Sequence, residues 1–93
     1  MPSRSWRVRL FDWDDGNIDH IAEHGVEPGE AEEIFQGKLY VRRTAGRYIV
    51  LGVTATGRAL FTVLERHPGP VVRFITARDM NDKERKLFQR RAR

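Results

Sequence analysis

The sequence predicts a single α+β domain over residues 1–93, with the element order β-α-α-β-β-β-β-α. Apolar residues first recur at intervals of three and four, from Ile18 to Phe35, which is typical of two short amphipathic helices. From Leu39 to Ala77 the apolar period becomes two and is interrupted by turn residues, which favours a strand meander. We therefore expect an antiparallel sheet that is covered by an N-terminal helical hairpin.

The N-terminal third is predicted to hold one strand and two helices. Residues 7–13 alternate in a way that predicts an opening strand. One of the aspartates at 14 and 15 would cap the first helix, and Gly25 stands where a left-handed residue would end it. Pro28 suits the first turn of the second helix. Because the link between these helices is short, we expect them to pair as an αα-hairpin.

The remaining elements follow from turn chemistry and capping. Short Gly- or Pro-containing turns separate four predicted strands, at 39–43, 47–54, 58–66 and 71–77. Asn81 or Asp82 would cap a last helix that runs to about Arg91, with Glu84 in its first turn. The apolar stripe of that helix is narrow, which predicts loose packing on the domain or contact with a partner.

Charge is divided unevenly along the chain. The net charge is +4, but residues 1–37 hold 3 basic against 9 acidic side chains, and residues 38–93 hold 14 against 4. The basic half indicates an acidic partner such as nucleic acid.

The chain has no cysteine, which excludes disulfides and cysteine-ligated metal sites. No apolar stretch or signal-peptide pattern stands out, so we expect a cytoplasmic protein without a membrane partner.

Two histidines raise the question of a metal site. His20 and His24 lie one helical turn apart, a spacing that can hold a divalent cation. The zinc protease pattern needs a glutamate directly after the first histidine, where Ile21 stands, and a third ligand would have to come from His67 or a carboxylate. Exposed histidines on a polar helix are more often solvated, so no metal and no cofactor is predicted.

Glu65 and His67 form the first candidate catalytic pair. Residues two apart on a strand share a face, so the carboxylate and the imidazole would lie side by side. Such a pair can move a proton, and histidine titrates in the appropriate range. The alternative interpretation is a polar strand end before the Pro-Gly turn.

Arginines on or beside the strands form the candidate nucleic-acid surface. A guanidinium group can bind phosphate through two parallel hydrogen bonds and stays charged. Aromatic residues alternate with these arginines, which suits single-stranded RNA better than a duplex groove. A solvated charged face is the alternative. The predicted RNA-binding residues are Arg47, Arg58, Arg73 and Arg78.

Three stretches, taken together and in order, resemble the BrnT family of type II toxin–antitoxin toxins, which are small ribonucleases with a RelE-like fold. The first stretch is Phe-Asp-Trp-Asp at 11–14, followed by His-Gly-Val at 24–26 and an acidic segment that ends at Phe35. The second comprises 47–52 and Gly57-Arg58, and the third comprises 73–78 and Glu84-Arg85. The resemblance spans residues 11 to 88.

The resemblance implies metal-independent RNA cleavage by attack of a ribose 2′-hydroxyl on the adjacent phosphate. Such a reaction needs a base, an acid and cations around the phosphate. Here Glu65 or His67 would be the base, and Arg58, Arg73 and Arg78 would clamp the phosphate. The predicted catalytic residues are therefore Glu65, His67 and Arg78.

The resemblance also implies partners. The implied partners are a ribbon-helix-helix antitoxin, the RNA substrate, and operator DNA bound through the antitoxin. At two places, which we call the two departures, this sequence differs from the pattern of the family. Many members have Lys-Ala where Asp79-Met80 stands here, and a tyrosine where Phe88 stands. A catalytically silent, toxin-like module that acts through its partner in operon autoregulation is therefore the alternative, with a stand-alone basic binding domain as a third hypothesis.

Overall fold

The computed structural model describes Val8 and residues 10–93 as one mixed α+β unit with a five-stranded sheet and three α-helices. This confirms the α+β class. Several predicted strand and helix limits agree with the structure to within one or two residues. The elements are β1 (Leu10–Phe11), α1 (Asp15–Ala22), α2 (Pro28–Glu33), a 3-10 turn (Ile34–Gln36), β2 (Tyr40–Thr44), β3 (Arg47–Val53), β4 (Ala59–His67), β5 (Val71–Asp79) and α3 (Asp82–Arg91).

The prediction of an antiparallel sheet is correct for four strands and wrong for the first. The strand order is β1-β5-β4-β3-β2; β2 to β5 form an antiparallel meander, whereas β1 pairs with β5 in parallel. Only Leu10 and Phe11 of the predicted 7–13 strand are in β1, and positions 7 and 9 lie outside the described residues. The connection between β1 and β5, which includes two helices and three strands, is long enough to allow parallel pairing.

The predicted helical hairpin is also wrong. Helix α1 packs on β5 and the 3-10 turn packs on β3, and each of these contacts is more extensive than any contact between α1 and α2. The reason is that each short apolar stripe is buried on the sheet separately: Ile21 of α1 and Ile34 of the turn are both fully buried. The two helices cover neighbouring parts of one sheet surface.

Local capping explains where the helices begin. The backbone amide of Asn17 donates a hydrogen bond to the Asp14 side chain, and the backbone amide of Asp14 donates one to the side-chain oxygen of Asn17. Asn81 and Glu84 form the same reciprocal box at the start of α3. Both boxes satisfy amides that a helix start leaves free. Gly25, at a φ of +71°, lies just beyond α1 in the left-handed conformation expected there.

We call the covered sheet surface the helix face; it carries Val50, Gly52, Leu60, Leu64 and Phe74. Aside from Gly52, these side chains belong to the buried core. Phe74 is completely buried, and the rings of Trp13, Phe11 and Phe35 surround it at centroid distances of 5.1, 6.0 and 6.1 Å. At Gly52 a Cβ would lie 2.6 Å from the Cβ of Ile34, so glycine lets the 3-10 turn approach the sheet.

The opposite surface, here the α3 face, carries the alternate side chains of the same strands, among them Arg47, Ile49, Phe61, Glu65 and Arg78. Helix α3 crosses this face over β3. None of its residues is buried, so α3 lies on the sheet loosely, as its narrow apolar stripe predicts. None of the helices in the described part of the chain has the length and apolar character to cross a membrane.

Candidate active site

Glu65 and His67 lie together at the end of β4 on the α3 face. The Nε2 atom of His67 is 3.5 Å from Oε1 of Glu65. The side chains of Glu65 and His67 are 34% and 38% exposed, so both are partly accessible from solvent. The strand spacing alone therefore predicted their proximity correctly.

Arg47 joins this pair from the neighbouring strand. Its Nε donates to Oε2 of Glu65 at 3.3 Å, because antiparallel pairing places the first residue of β3 beside the end of β4. One carboxylate thus bridges an imidazole and a guanidinium group. We call Arg47, Glu65 and His67 the Glu65 cluster.

The electrostatics of the cluster distinguish its two candidate bases. The hydrogen bond with His67, followed by that with Arg47, lowers the pKa of the Glu65 carboxyl below its usual range. A carboxylate with a lowered pKa is a weak base, but it binds and orients an imidazole well. Glu65 is therefore suited to orienting His67, and His67 is better suited to exchanging a proton with a substrate.

Arg78 lies on the same face but not in the cluster. It pairs across the strands with Phe61, four residues before Glu65 on β4, a separation of about 13 Å along a strand. Two parallel hydrogen bonds, of 2.9 and 3.0 Å, fix its guanidinium group to Glu84, and its Cζ lies 4.0 Å from the centroid of the Phe61 ring. The Arg78 bond also lowers the pKa of Glu84, which keeps this carboxylate ionised.

Arg73 stands opposite Glu65 in the β4–β5 register, but its side chain turns to the other edge of β5. Its two terminal nitrogens lie 3.4 Å from Asp12 and 3.0 Å from Asp14. These carboxylates balance much of its charge. An incoming phosphate would therefore have to compete with them for Arg73.

Arg58 differs from the other arginines because its hydrogen bonds join distant parts of the fold. It donates to both oxygens of Asp79, at 2.7 and 3.3 Å, and to Glu30 at 3.1 Å. The carbonyl oxygens of Gly25 and His24 accept from it at 2.7 and 3.4 Å. These bonds engage all five donors of a guanidinium group. Asp79, one of the two departures noted above, is thus an anchor for Arg58.

His20 lies on α1 and His24 in the loop that follows it, so both are separate from the Glu65 cluster on β3 and β4. Their rings meet edge to face with centroids 5.7 Å apart, and His20 lies 3.7 Å from Glu23. Across Val8 and residues 10–93, no three potential metal ligands come together. A metal at His20 and His24 would need a third ligand, such as His67. Helix α1 covers the helix face, however, whereas the side chain of His67 lies on the α3 face.

Sequence reasoning did not identify Glu84 as a site residue, nor the links from Arg47 to Glu65 and from Phe61 to Arg78. Each of these contacts joins different strands or a strand and α3. For Glu84, the signal in the sequence was the Glu84-Arg85 motif of the family resemblance, which by itself assigns the residue no role.

Comparison with known proteins agrees with the ordered motifs. The model of the ribonuclease toxin BrnT of type II toxin–antitoxin systems matches residues 13–84, from the start of α1 into the first turn of α3. No curated protein matches the chain. Because the matched region covers most of the sequence, the chain belongs to the BrnT family of ribonuclease toxins of type II toxin–antitoxin systems.

Proposed function

We propose that this toxin cleaves RNA without a metal, with His67 as the proton-transfer group and Glu65 as its orienting partner. The observation that carries the proposal is the position of Glu65, between His67 at 3.5 Å and Arg47 at 3.3 Å on the accessible α3 face. An oriented imidazole beside a fixed cation has the parts that phosphoryl transfer from a ribose requires.

The reaction needs no group from outside the RNA, the protein and water. Neutral His67 takes the proton of a ribose 2′-hydroxyl while the 2′-oxygen forms a bond to the adjacent phosphorus. The bond from phosphorus to the 5′-oxygen of the next nucleotide breaks, and that oxygen leaves with a proton from water. The products are a 2′,3′-cyclic phosphate and a 5′-hydroxyl, and His67 then releases its proton to solvent.

Arginines on the α3 face would hold the RNA backbone. Arg47 is half exposed and lies nearest to the reacting group, so it would stabilise the pentacoordinate phosphate. Arg78, immobilised by Glu84 and Phe61, would bind a neighbouring phosphate, and Arg73 would do so in competition with its carboxylates. Arg58 would contribute least to direct contact, because its donors are already engaged.

Toxins of this family act with an antitoxin, and the charge distribution supports a site for it. The acidic residues of α1 and α2 lie over the helix face, and α3 adds Lys83, Arg85, Lys86, Arg90 and Arg91 to the other side. We expect a ribbon-helix-helix antitoxin to cover this basic side with an acidic segment. The complex would bind operator DNA through the antitoxin, and the toxin would act in the cytoplasm.

RNA cleavage by the purified toxin in EDTA tests the proposal. We expect wild type to cleave, and His67→Ala to lower the rate by about 10²- to 10⁴-fold, the usual contribution of a general base. Glu65→Gln and Arg78→Ala should have smaller effects. His20→Ala, which removes the same kind of side chain from α1, outside the Glu65 cluster, is the matched control and should cleave normally. Cleavage that disappears in EDTA, or that His67→Ala leaves unchanged, would contradict the proposal.

A catalytically silent module is the second candidate, favoured by the positions of the two departures. Asp79 is bound by Arg58, and Phe88 offers no hydroxyl on α3. This candidate predicts tight antitoxin binding by a folded protein that never cleaves RNA. The same cleavage experiment, accompanied by an antitoxin titration, distinguishes it from the ribonuclease.

A further inference from the structure

A cavity of about 240 Å³, partly open to solvent, lies between α3 and the α3 face of the sheet. Tyr40 and Phe61 supply aromatic rings to its wall, and Ile49 and Leu87 supply aliphatic side chains. Arg42 and Glu84 are its charged residues. We infer that this cavity binds one unstacked nucleobase of the RNA strand, next to the nucleotide at the Glu65 cluster; the inference rests on the proposed ribonuclease function.

The cavity wall has the chemistry that a nucleobase requires. A base has two flat apolar faces, which aromatic and aliphatic side chains cover, and an edge that carries both donors and acceptors. Arg42 can only donate hydrogen bonds and ionised Glu84 can only accept them. The two residues therefore match the two kinds of atom on a base edge, and the ring of Tyr40 adds stacking surface.

Glu84 is already held in place for this role. Its pKa is lowered by Arg78, and one oxygen accepts from both Arg78 and the Asn81 amide, whereas the other accepts from Arg78 alone. The second oxygen keeps a free lone pair. A base donor could bind there without breaking the Arg78 bond.

The position of the cavity relative to the Glu65 cluster favours a nucleotide over other small molecules. In the strand register, Arg42 pairs with Ile49, and Ile49 lies two residues from Arg47 on β3, a distance of about 7 Å along a strand. Arg78 and Glu84 lie at the opposite side, beside Phe61. An RNA strand running from the Glu65 cluster to Arg78 would therefore pass across the cavity.

Titration with the four ribonucleoside 3′-monophosphates, followed by the amide NMR signals of the intact protein, tests the inference. We expect saturable shifts at Tyr40, Arg42, Ile49 and Leu87. Leu87→Trp fills the cavity and should weaken binding by about 5- to 100-fold, the usual loss when one base no longer stacks. Gln89→Trp, which places the same side chain on the exposed side of α3, should bind like wild type.

A second variant, Arg42→Ala, tests the same cavity in case Leu87→Trp fails to fold. Arg42→Ala changes an exposed side chain on the edge strand and should weaken binding by about tenfold. Shifts confined to the Glu65 cluster, or normal binding by both variants, would overturn the inference. So would a flat titration, which is the result expected if a side chain of the protein partner fills the cavity.

The outcomes also separate this inference from the proposed function. Nucleotide binding in the cavity by a protein that cleaves no RNA would support the base site and refute the ribonuclease. Cleavage that depends on His67 but is insensitive to Leu87→Trp and Arg42→Ala would support the ribonuclease and refute the base site.

Discussion

The two faces of the sheet are built from alternate residues of the same strands, yet they differ in burial and in charge. On β4, Leu60, Thr62 and Leu64 point to the helix face and are completely buried. Their neighbours Phe61 and Glu65 point to the α3 face and are partly exposed. The helix face holds the core, whereas the α3 face keeps its charged groups accessible. The buried core and the accessible charged groups are thus separated by a shift of one residue.

The same contrast exists between two arginines. The guanidinium group of Arg58 donates hydrogen bonds to Asp79, Glu30 and two loop carbonyls, and its side chain is 26% exposed. Arg47 makes one bond, to Glu65, and is 50% exposed. A guanidinium group can therefore act as a structural cross-link or as an available cation, depending on which partners the fold places around it.

Replacing a phenylalanine on each face should separate stability from function most strongly. Phe74→Ala removes a fully buried ring and should lower the free energy of unfolding by about 3–5 kcal/mol. Phe61→Ala should cost less than half as much, because the ring is partly exposed, but it should weaken RNA binding by freeing Arg78 to move. Urea unfolding and an RNA-binding titration measure the two effects. Equal losses of stability would contradict the comparison.

Replacing Arg58 or Arg47 by alanine should give a smaller difference in unfolding free energy than the two phenylalanine variants. Arg58→Ala leaves Asp79, Glu30 and two carbonyls without their donor, so we expect a loss of about 2 kcal/mol in unfolding free energy. Arg47→Ala breaks one exposed pair and should cost less than about 0.5 kcal/mol. In RNA cleavage the order should reverse, with Arg47→Ala slower than Arg58→Ala at a temperature where both are folded. Loss of cleavage without loss of stability in Arg58→Ala would show that it binds RNA directly.

The smallest expected effect is a dependence of stability on acid pH that involves both faces. Arg58 lowers the pKa of Asp79 from its usual 3.8, and Arg78 lowers that of Glu84 from 4.5. Because both folded values lie below the unfolded ones, these carboxylates stabilise the fold fully above about pH 5 and progressively less at lower pH. Urea midpoints should fall between pH 5 and pH 2.5.

Glu84→Gln provides the control for this dependence. The variant should be less stable than wild type at pH 7, but its midpoint should fall less steeply in acid, because one coupled carboxylate is missing. Parallel curves for the two proteins would mean that Glu84 is not among the groups responsible.

The sequence predicted those parts of the fold and site that depend on nearby residues. Helix limits were predicted to within a residue by the aspartates at 14 and 15, by Asn81 or Asp82 and by Gly25, since capping involves amides within a turn. The structure selects Asp14 and Asn81 as the caps. The proximity of Glu65 and His67 followed from the two-residue repeat of a strand. The all-antiparallel sheet was wrong because β1 and β5 are far apart in sequence, and their pairing has no local signal. The hairpin was wrong because Ile21 and Ile34 are each buried on the sheet, and only the tertiary structure shows that surface.

By itself, then, the sequence determined the α+β class, the family and the Glu65–His67 pair, all of which reside in local patterns or in the order of motifs. Only the tertiary structure decided which face the helices cover, and with it the hydrogen-bond partners of the arginines. Arg58 became a cross-link because the α1–α2 loop, α2 and the end of β5 meet around it, and Arg47 stayed accessible beside Glu65. The physical reason is that a guanidinium group has the same charge everywhere, and its neighbours in space determine what that charge can bind.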